Sequence, residues 1–161
     1  MDRTYIEVLV ARGQNTAAGL GKIIFGILAG LSLVMMIGAP IMIVLAAVFA
    51  GASYYCYMQE WVEYEYTYIS RELTVDKIMA RSKRKQVAAY LLDKMEIGAP
   101  EKSYRLDGWR SRKCSVKDYS SKTGKPVFVI YYEGNKKIVL EADEGLMQML
   151  RNAAPSKMFL D

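Results

Sequence analysis

Residues 23–59 contain no Asp, Glu, Lys or Arg, and Lys22 and Glu60 stand at either end of this run. A charge at the bilayer centre costs about 2.5–3.5 kcal/mol, and a span needs about 20 apolar residues. Lipid therefore suits the run better than a soluble core does. As one helix it would measure about 55 Å at about 1.5 Å per residue, against a hydrocarbon core of about 30 Å. The chain has to fold back. Gly38-Ala39-Pro40 lies near the middle, where Pro40 removes a backbone donor, biases Ala39 away from helix, and Gly38 tolerates a turn. The pattern predicts two spans, about residues 21–37 and 41–57, with Gly38 and Pro40 in the membrane turn. A single tilted, Pro-kinked span is the alternative. A buried soluble hairpin is disfavoured, because 161 residues offer too little polar cover.

Before the run, residues 4–12 (TYIEVLVAR) place Tyr5, Val8, Leu9 and the stem of Arg12 at helical spacing, which predicts a short helix lying on the inner leaflet. The β-branched content leaves a strand open. After the run, Val62, Tyr64, Tyr66 and Tyr68 alternate with polar neighbours, the period of a half-buried strand. Residues 69–72 read as a turn and 73–78 as the partner strand. Residues 87–92 fit helix and strand equally, 95–97 look extended before a turn at 98–100, and 101–117 show no clear period. Residues 118–126 (DYSSKTGKP) are loop by composition. Residues 127–132 (VFVIYY) form a strand that turns at 133–136 and returns over 137–141. Asp143 caps a helix from Glu144 to about Ala153, with Leu146, Met149, Leu150 and Ala153 on one face and Pro155 closing it. The expected organisation is an N-terminal interfacial segment at 1–20, a transmembrane helical hairpin at 21–59, and a mainly-β α+β domain closed by a C-terminal helix at 60–161. Gly26 and Gly30 form a small-xxx-small pair that would bring the second helix close.

Charge sets the orientation. The chain is net +5, and residues 60–161 carry 19 Lys and Arg against 15 Asp and Glu. Arg3, Arg12 and Lys22 precede the spans, while Arg71, Lys77, Arg81, Lys83, Arg84 and Lys85 follow them. The turn has none. Both termini and the soluble domain are therefore expected on the cytoplasmic side of a bacterial plasma membrane. Tyr54, Tyr55, Tyr57 and Trp61 then fall at the inner interface, where amphipathic rings anchor. The first residues, MDRTYIEVLV, lack the pattern of a cleavable signal peptide. Cys56 and Cys114 lie in different parts of the chain, so no internal disulfide is expected and a reducing compartment fits.

The absence of His removes Ser-His-Asp and Cys-His catalysis, most zinc sites and the commonest general base. Cys114 stands beside Arg112 and Lys113 with no base to pair with. The glycines at 13, 19 and 21 before Lys22 do not make a phosphate loop, since Ile23 occupies the place of the required Ser or Thr. No enzyme activity, metal or cofactor is expected. Partners are the lipid bilayer and a protein of unknown identity, with a homo-oligomer left open. The functional expectation is a non-catalytic, membrane-anchored interaction or scaffold module. Its alternative is a lipid-contacting domain in which Arg81, Lys83, Arg84 and Lys85 meet anionic headgroups, at about 1 kcal/mol per basic residue. Nucleic acid is disfavoured, because no stacking aromatics interleave with that cluster.

The membrane hairpin, then EYEYTYISRELTVDKI, the basic RSKRK, YLLDKMEIGAP and the ending VFVIYYEGNKKIVLEADEGLMQMLRNAAP together resemble bacterial membrane proteins carrying a pleckstrin-homology-like (PH-like) domain. More narrowly, with the N-terminal YIEVLVAR, they resemble a Firmicutes membrane-protein family built on a domain of unknown function. The resemblance covers most of the chain and implies a small curved β-structure closed by the last helix. It implies no catalytic motif and carries over no site residues.

Overall fold

The computed structural model describes residues 5–160, which divide into two compact units. One holds residues 13–62 and 78–83, and the other holds residues 5–12, 63–77 and 84–160.

The first unit is the helical hairpin. Helix α1 (Thr16–Met35) starts at Asn15, whose side chain accepts from the Ala18 amide at 3.3 Å. Helix α2 spans Met42–Glu60. At 20 and 19 residues they measure about 30 Å each, the thickness of a hydrocarbon core. Between them, residues 36–41 turn the chain about Gly38 and Pro40, where expected. Pro40 lends its carbonyl to the Ile43 amide at 3.2 Å, so it sits at a helix start, where a missing N–H costs nothing. Capping by Asn15 starts α1 earlier than expected, and α2 runs on to Glu60.

The helices touch through small residues and one aromatic pair. A Cβ on Gly21 would stand 3.0 Å from Cys56 Sγ, and one on Gly26 3.6 Å from Ser53 Oγ. Phe25 and Phe49 stack with centroids 6.4 Å apart, and Ser53 Oγ donates to the Lys22 carbonyl at 2.8 Å. Gly30 does not belong to this seam, because a Cβ there would meet nothing within 4 Å. The small-xxx-small pair is thus split: Gly26 faces α2 and Gly30 faces outward. Ile24, Ile27, Leu31, Val34, Val44 and Val48 are all more than half exposed. Apolar surface of that extent is a membrane or partner surface rather than a water-facing one.

The second unit contains two four-stranded sheets. In the first, β1 (Tyr5–Ala11), β2 (Val62–Ile69), β3 (Glu72–Met79) and β4 (Lys83–Leu91) lie in sequence order. The interfacial helix expected over residues 4–12 is strand β1 instead, over the described part. It pairs antiparallel with β2 from Tyr5↔Ile69 to Ala11↔Glu63. Ile6, Val8 and Val10 turn inward while Tyr5, Glu7 and Leu9 face out, so the operative period is two. Long-range pairing overrides a helical reading that rested on Tyr5, Val8, Leu9 and the stem of Arg12, of which Tyr5 and Leu9 lie on the outer face and Val8 on the inner. The β unit accordingly includes residues ahead of the hairpin as well as after it. The ambiguous residues 87–92 fall mostly in β4. The β2–β3 turn places Ser70 and Arg71 at φ 49° and 67°, and the β3–β4 turn places Ala80 and Arg81 at 49° and 55°, the left-handed conformation of tight hairpins.

The second sheet has the order β5 (Met95–Pro100), β7 (Val127–Tyr132), β8 (Lys136–Glu141), β6 (Ser115–Asp118), with β6 and β8 parallel. The stretch without a clear period, residues 101–117, holds a short helix α3 (Asp107–Arg110) and part of β6. Helix α4 (Glu144–Ala153) is the expected C-terminal helix. Asp143 Oδ1 accepts from the Leu146 amide at 2.9 Å, and Leu146, Met147 and Leu150 are buried. Phe128, Ile130, Ile138 and Leu140 complete the core with Leu73, Val75 and Tyr66, all essentially inaccessible.

Tyrosines join the sheets. The Tyr66 hydroxyl donates to the Tyr119 carbonyl at 2.7 Å and accepts from the Glu141 amide at 3.3 Å, and the Tyr90 and Tyr119 hydroxyls share a bond of 2.9 Å. Burial pushes the Tyr66 and Tyr90 phenols well above their ordinary value. Beside them, burial would raise Asp118, but hydrogen bonds from the Ser120 hydroxyl and amide outweigh it and hold the carboxyl below its usual range.

Candidate membrane interface

At the turn end of the hairpin, Gly38 and Pro40 flank Ala39 with no charged residue nearby in sequence, and Ile37 is 91% exposed. The opposite end is built differently. Glu60 closes α2 and is 5% exposed. Its carboxylate accepts from Lys22 Nζ at 2.5 Å and from Gln14 Nε2 at 2.9 Å, while its carbonyl accepts from the Asn15 amide at 3.0 Å. The two charges that bracket the uncharged run in sequence thus neutralise each other. A charge pair satisfied by further hydrogen bonds can sit at an apolar boundary, where either partner alone would be costly.

Around this clamp, aromatic rings and cations pair. The Arg81 guanidinium lies 4.8 Å from the Trp61 ring centroid. Lys83 Nζ lies 5.4 Å from the Tyr54 centroid and donates to the Tyr54 hydroxyl at 2.9 Å. Lys22 Nζ is 5.9 Å from the Tyr57 centroid. Such contacts are worth about 0.5–1 kcal/mol at exposed sites. Both partners in each pair are groups that collect at membrane–water boundaries. Tyr55 is 65% exposed on the same last turns of α2.

The four residues of the basic cluster sit in different surroundings. Arg81 occupies a left-handed turn position and Lys83 opens β4, and both join the hairpin unit. Arg84 belongs to the β unit. Its guanidinium is engaged by the nearly buried Glu65, sits 3.2 Å from Asp76 and reaches Glu7 at 3.8 Å. Those three carboxylates come from three strands, so only the folded sheet assembles them. Lys85 is exposed on β4. Sequence reading missed the Lys22–Glu60 clamp and the acidic seat of Arg84. The placement of Lys22 and Glu60 at the ends of the run was the available signal for the first. Nothing local signals the second.

A family profile described as a bacterial PH-like domain (DUF6106) matches residues 2–160. The chain belongs to this family. The match runs through the hairpin as well as both sheets, so the family's layout includes the helices. Two long helices, two sheets and a closing C-terminal helix agree with a PH-like α+β domain joined to a helical hairpin. No curated protein and no solved structure matches.

Proposed function

We propose that this member of the PH-like family is a non-catalytic, membrane-anchored interaction module. The helical hairpin spans the bilayer, and both chain ends and the β unit lie in the cytoplasm. The observation that supports this most directly is the contrast between the two ends of the hairpin. Its flanks and turn are uncharged and apolar, while its other end carries the Lys22–Glu60 clamp and three cation–aromatic pairs. That asymmetry fits a membrane-crossing element with its charged foot on the positive, inner side. On this reading Tyr54, Tyr55, Tyr57 and Trp61 anchor at headgroup depth, and the β unit docks a protein partner. A second reading adds headgroup contact, and the pairing favours Arg81 and Lys83 for it. Arg84 is already engaged by carboxylates and contributes little.

Impermeant thiol labelling of intact cells tests the arrangement. In a Cys56→Ser background, Ala39→Cys should label from outside and native Cys114 should not. Labelling of Cys114 from outside overturns the orientation, and an unreachable Ala39→Cys overturns the spanning hairpin.

A further inference from the structure

The outer face of the second sheet carries a feature that the membrane reading does not use. Residues 104–112 fold over it, with Leu106 seated among Ala99, Val129 and Tyr131. Trp109 packs on Tyr131 with centroids 5.5 Å apart, and the Arg112 guanidinium lies 3.9 Å from the Trp109 centroid. Arg110 donates to the Glu101 carbonyl at 2.7 Å and pairs with Asp107 at 3.2 Å. Beside this covering lies an open cleft of about 730 Å³. Leu106, Val116, Val129 and Tyr131 give the cleft apolar walls. Lys102, Arg110, Arg112 and Lys137 line it from three separate segments, against the single carboxylate of Glu101.

Arg110 is paired with Asp107 and Arg112 with Glu96 at 3.5 Å, so the unpaired positive charge of the cleft comes from Lys102 and Lys137, and cations held near one another repel unless something negative joins them. The side chains of Lys102 and Lys137 make no ion pair or hydrogen bond among the described residues. Arg110 donates to the Glu101 and Ser103 carbonyls and to Asp107, and Arg112 to Glu96, but both guanidinium groups are about half exposed and each has five N–H donors. Their free donors can converge on a single oxyanion, and phosphate takes several charge-assisted bonds from Lys and Arg at once. The volume and the apolar walls exceed what a bare ion fills and suit an attached carbon body.

We propose that this cleft binds a phosphate group carried on an apolar body, with the phosphate among Lys102, Lys137 and the two arginines, and the body against Val129 and Tyr131. A soluble aryl or alkyl phosphate and the phosphate headgroup of a lipid share that chemistry. The site is independent of the hairpin foot, none of whose residues line it.

Trp109 reports occupancy directly, because the ligand would lie beside its Arg112 and Tyr131 neighbours. Full-length protein carrying Trp61→Phe, held in a sugar-based detergent, would be titrated with phenyl phosphate, with benzyl alcohol and with inorganic phosphate. The same protein in phosphatidylcholine nanodiscs, with and without phosphatidic acid, gives the lipid arm. Expected is a saturable change in Trp109 emission with phenyl phosphate, phosphatidic acid or both, and the arm that responds identifies the source. The double variant Lys102→Gln, Lys137→Gln should weaken it about tenfold or more, while Lys122→Gln, outside the cleft, should leave it unchanged. No saturable change in either arm overturns the proposal, as does an equal response to benzyl alcohol or a response the double variant leaves intact. Inorganic phosphate binding as tightly as phenyl phosphate overturns the apolar part of the site.

Discussion

Tyr66 shows how much one side chain can hold together. Its ring is inaccessible, and its hydroxyl connects β2 to the Tyr119 carbonyl and the Glu141 amide. Tyr66→Phe leaves both groups without that partner, at a cost of about 1–3 kcal/mol, or a melting temperature lower by about 4–8 °C per kcal/mol. The phenol also sets an alkaline limit. Its pKa in the folded state is raised by burial above the ordinary value near 10. Its contribution is therefore complete below pH 10 and is lost as pH rises beyond it, because the unfolded chain ionises first. Melting curves taken from pH 8 to pH 11 should show stability falling above about pH 10, and Tyr66→Phe should flatten that fall. An alkaline limb unchanged by the substitution would show that Tyr66 does not carry it. Glu133 is a contrasting residue. It bridges Lys94 at 2.8 Å and Lys136 at 2.9 Å on the surface, where ion pairs contribute little.

At the scale of elements, α4 and the segment after it close the β unit. Leu150 is inaccessible, and Leu150→Asp buries an unpaired carboxylate against the sheets at a cost of several kcal/mol. Loss of cooperative melting is expected, whereas Glu133→Asp, at a φ of 49° that Asp tolerates, should stay within about 0.5 kcal/mol of the parent. Beyond the helix, the chain bridges β5 in parallel between Gly98 and Met158, with the Gly98 amide donating to the Lys157 carbonyl at 2.9 Å. A Cβ on Gly98 would collide with Met158 Sδ and stand 2.8 Å from the Phe128 ring. Gly98→Ala should therefore destabilise by about 1–3 kcal/mol through overpacking, read as a lower melting temperature. A silent Gly98→Ala would mean that this closing segment yields readily.

At the scale of the molecule, the hairpin is inserted in the chain between two strands that pair: Ala11, near the end of β1, lies opposite Glu63, near the start of β2. Two-residue loops suit antiparallel strands at that spacing, with Asn-Gly the strongest turn sequence. Replacing residues 13–61 with Asn-Gly should yield a water-soluble chain that melts cooperatively. Residues 60–161 alone lack β1 and leave an edge of β2 unpaired, so they should melt lower or aggregate. If the shortened chain failed to fold and the 60–161 fragment melted cooperatively, β1 would not be the completing strand.

The sequence by itself determined the features that depend on local spacing. An uncharged run about 55 Å long as one helix, interrupted by Gly38 and Pro40, favours two helices folded back on each other, as α1 and α2 are. Val62, Tyr64, Tyr66 and Tyr68 are a strand because every second side chain shares a face, and Asp143 starts α4 because its carboxylate reaches the Leu146 amide three residues on. Only the tertiary structure decided what depends on partners far away in sequence. Residues 5–11 become a strand because β2 lies more than 50 positions later and offers a complete ladder. Arg84 is withdrawn from the basic cluster by carboxylates on three different strands. The cleft beside Trp109 draws its cations from segments that no period connects. Covalent geometry sets periodicity within a segment, but the pairing of distant segments is settled only when burial and hydrogen bonding are satisfied across the whole chain at once.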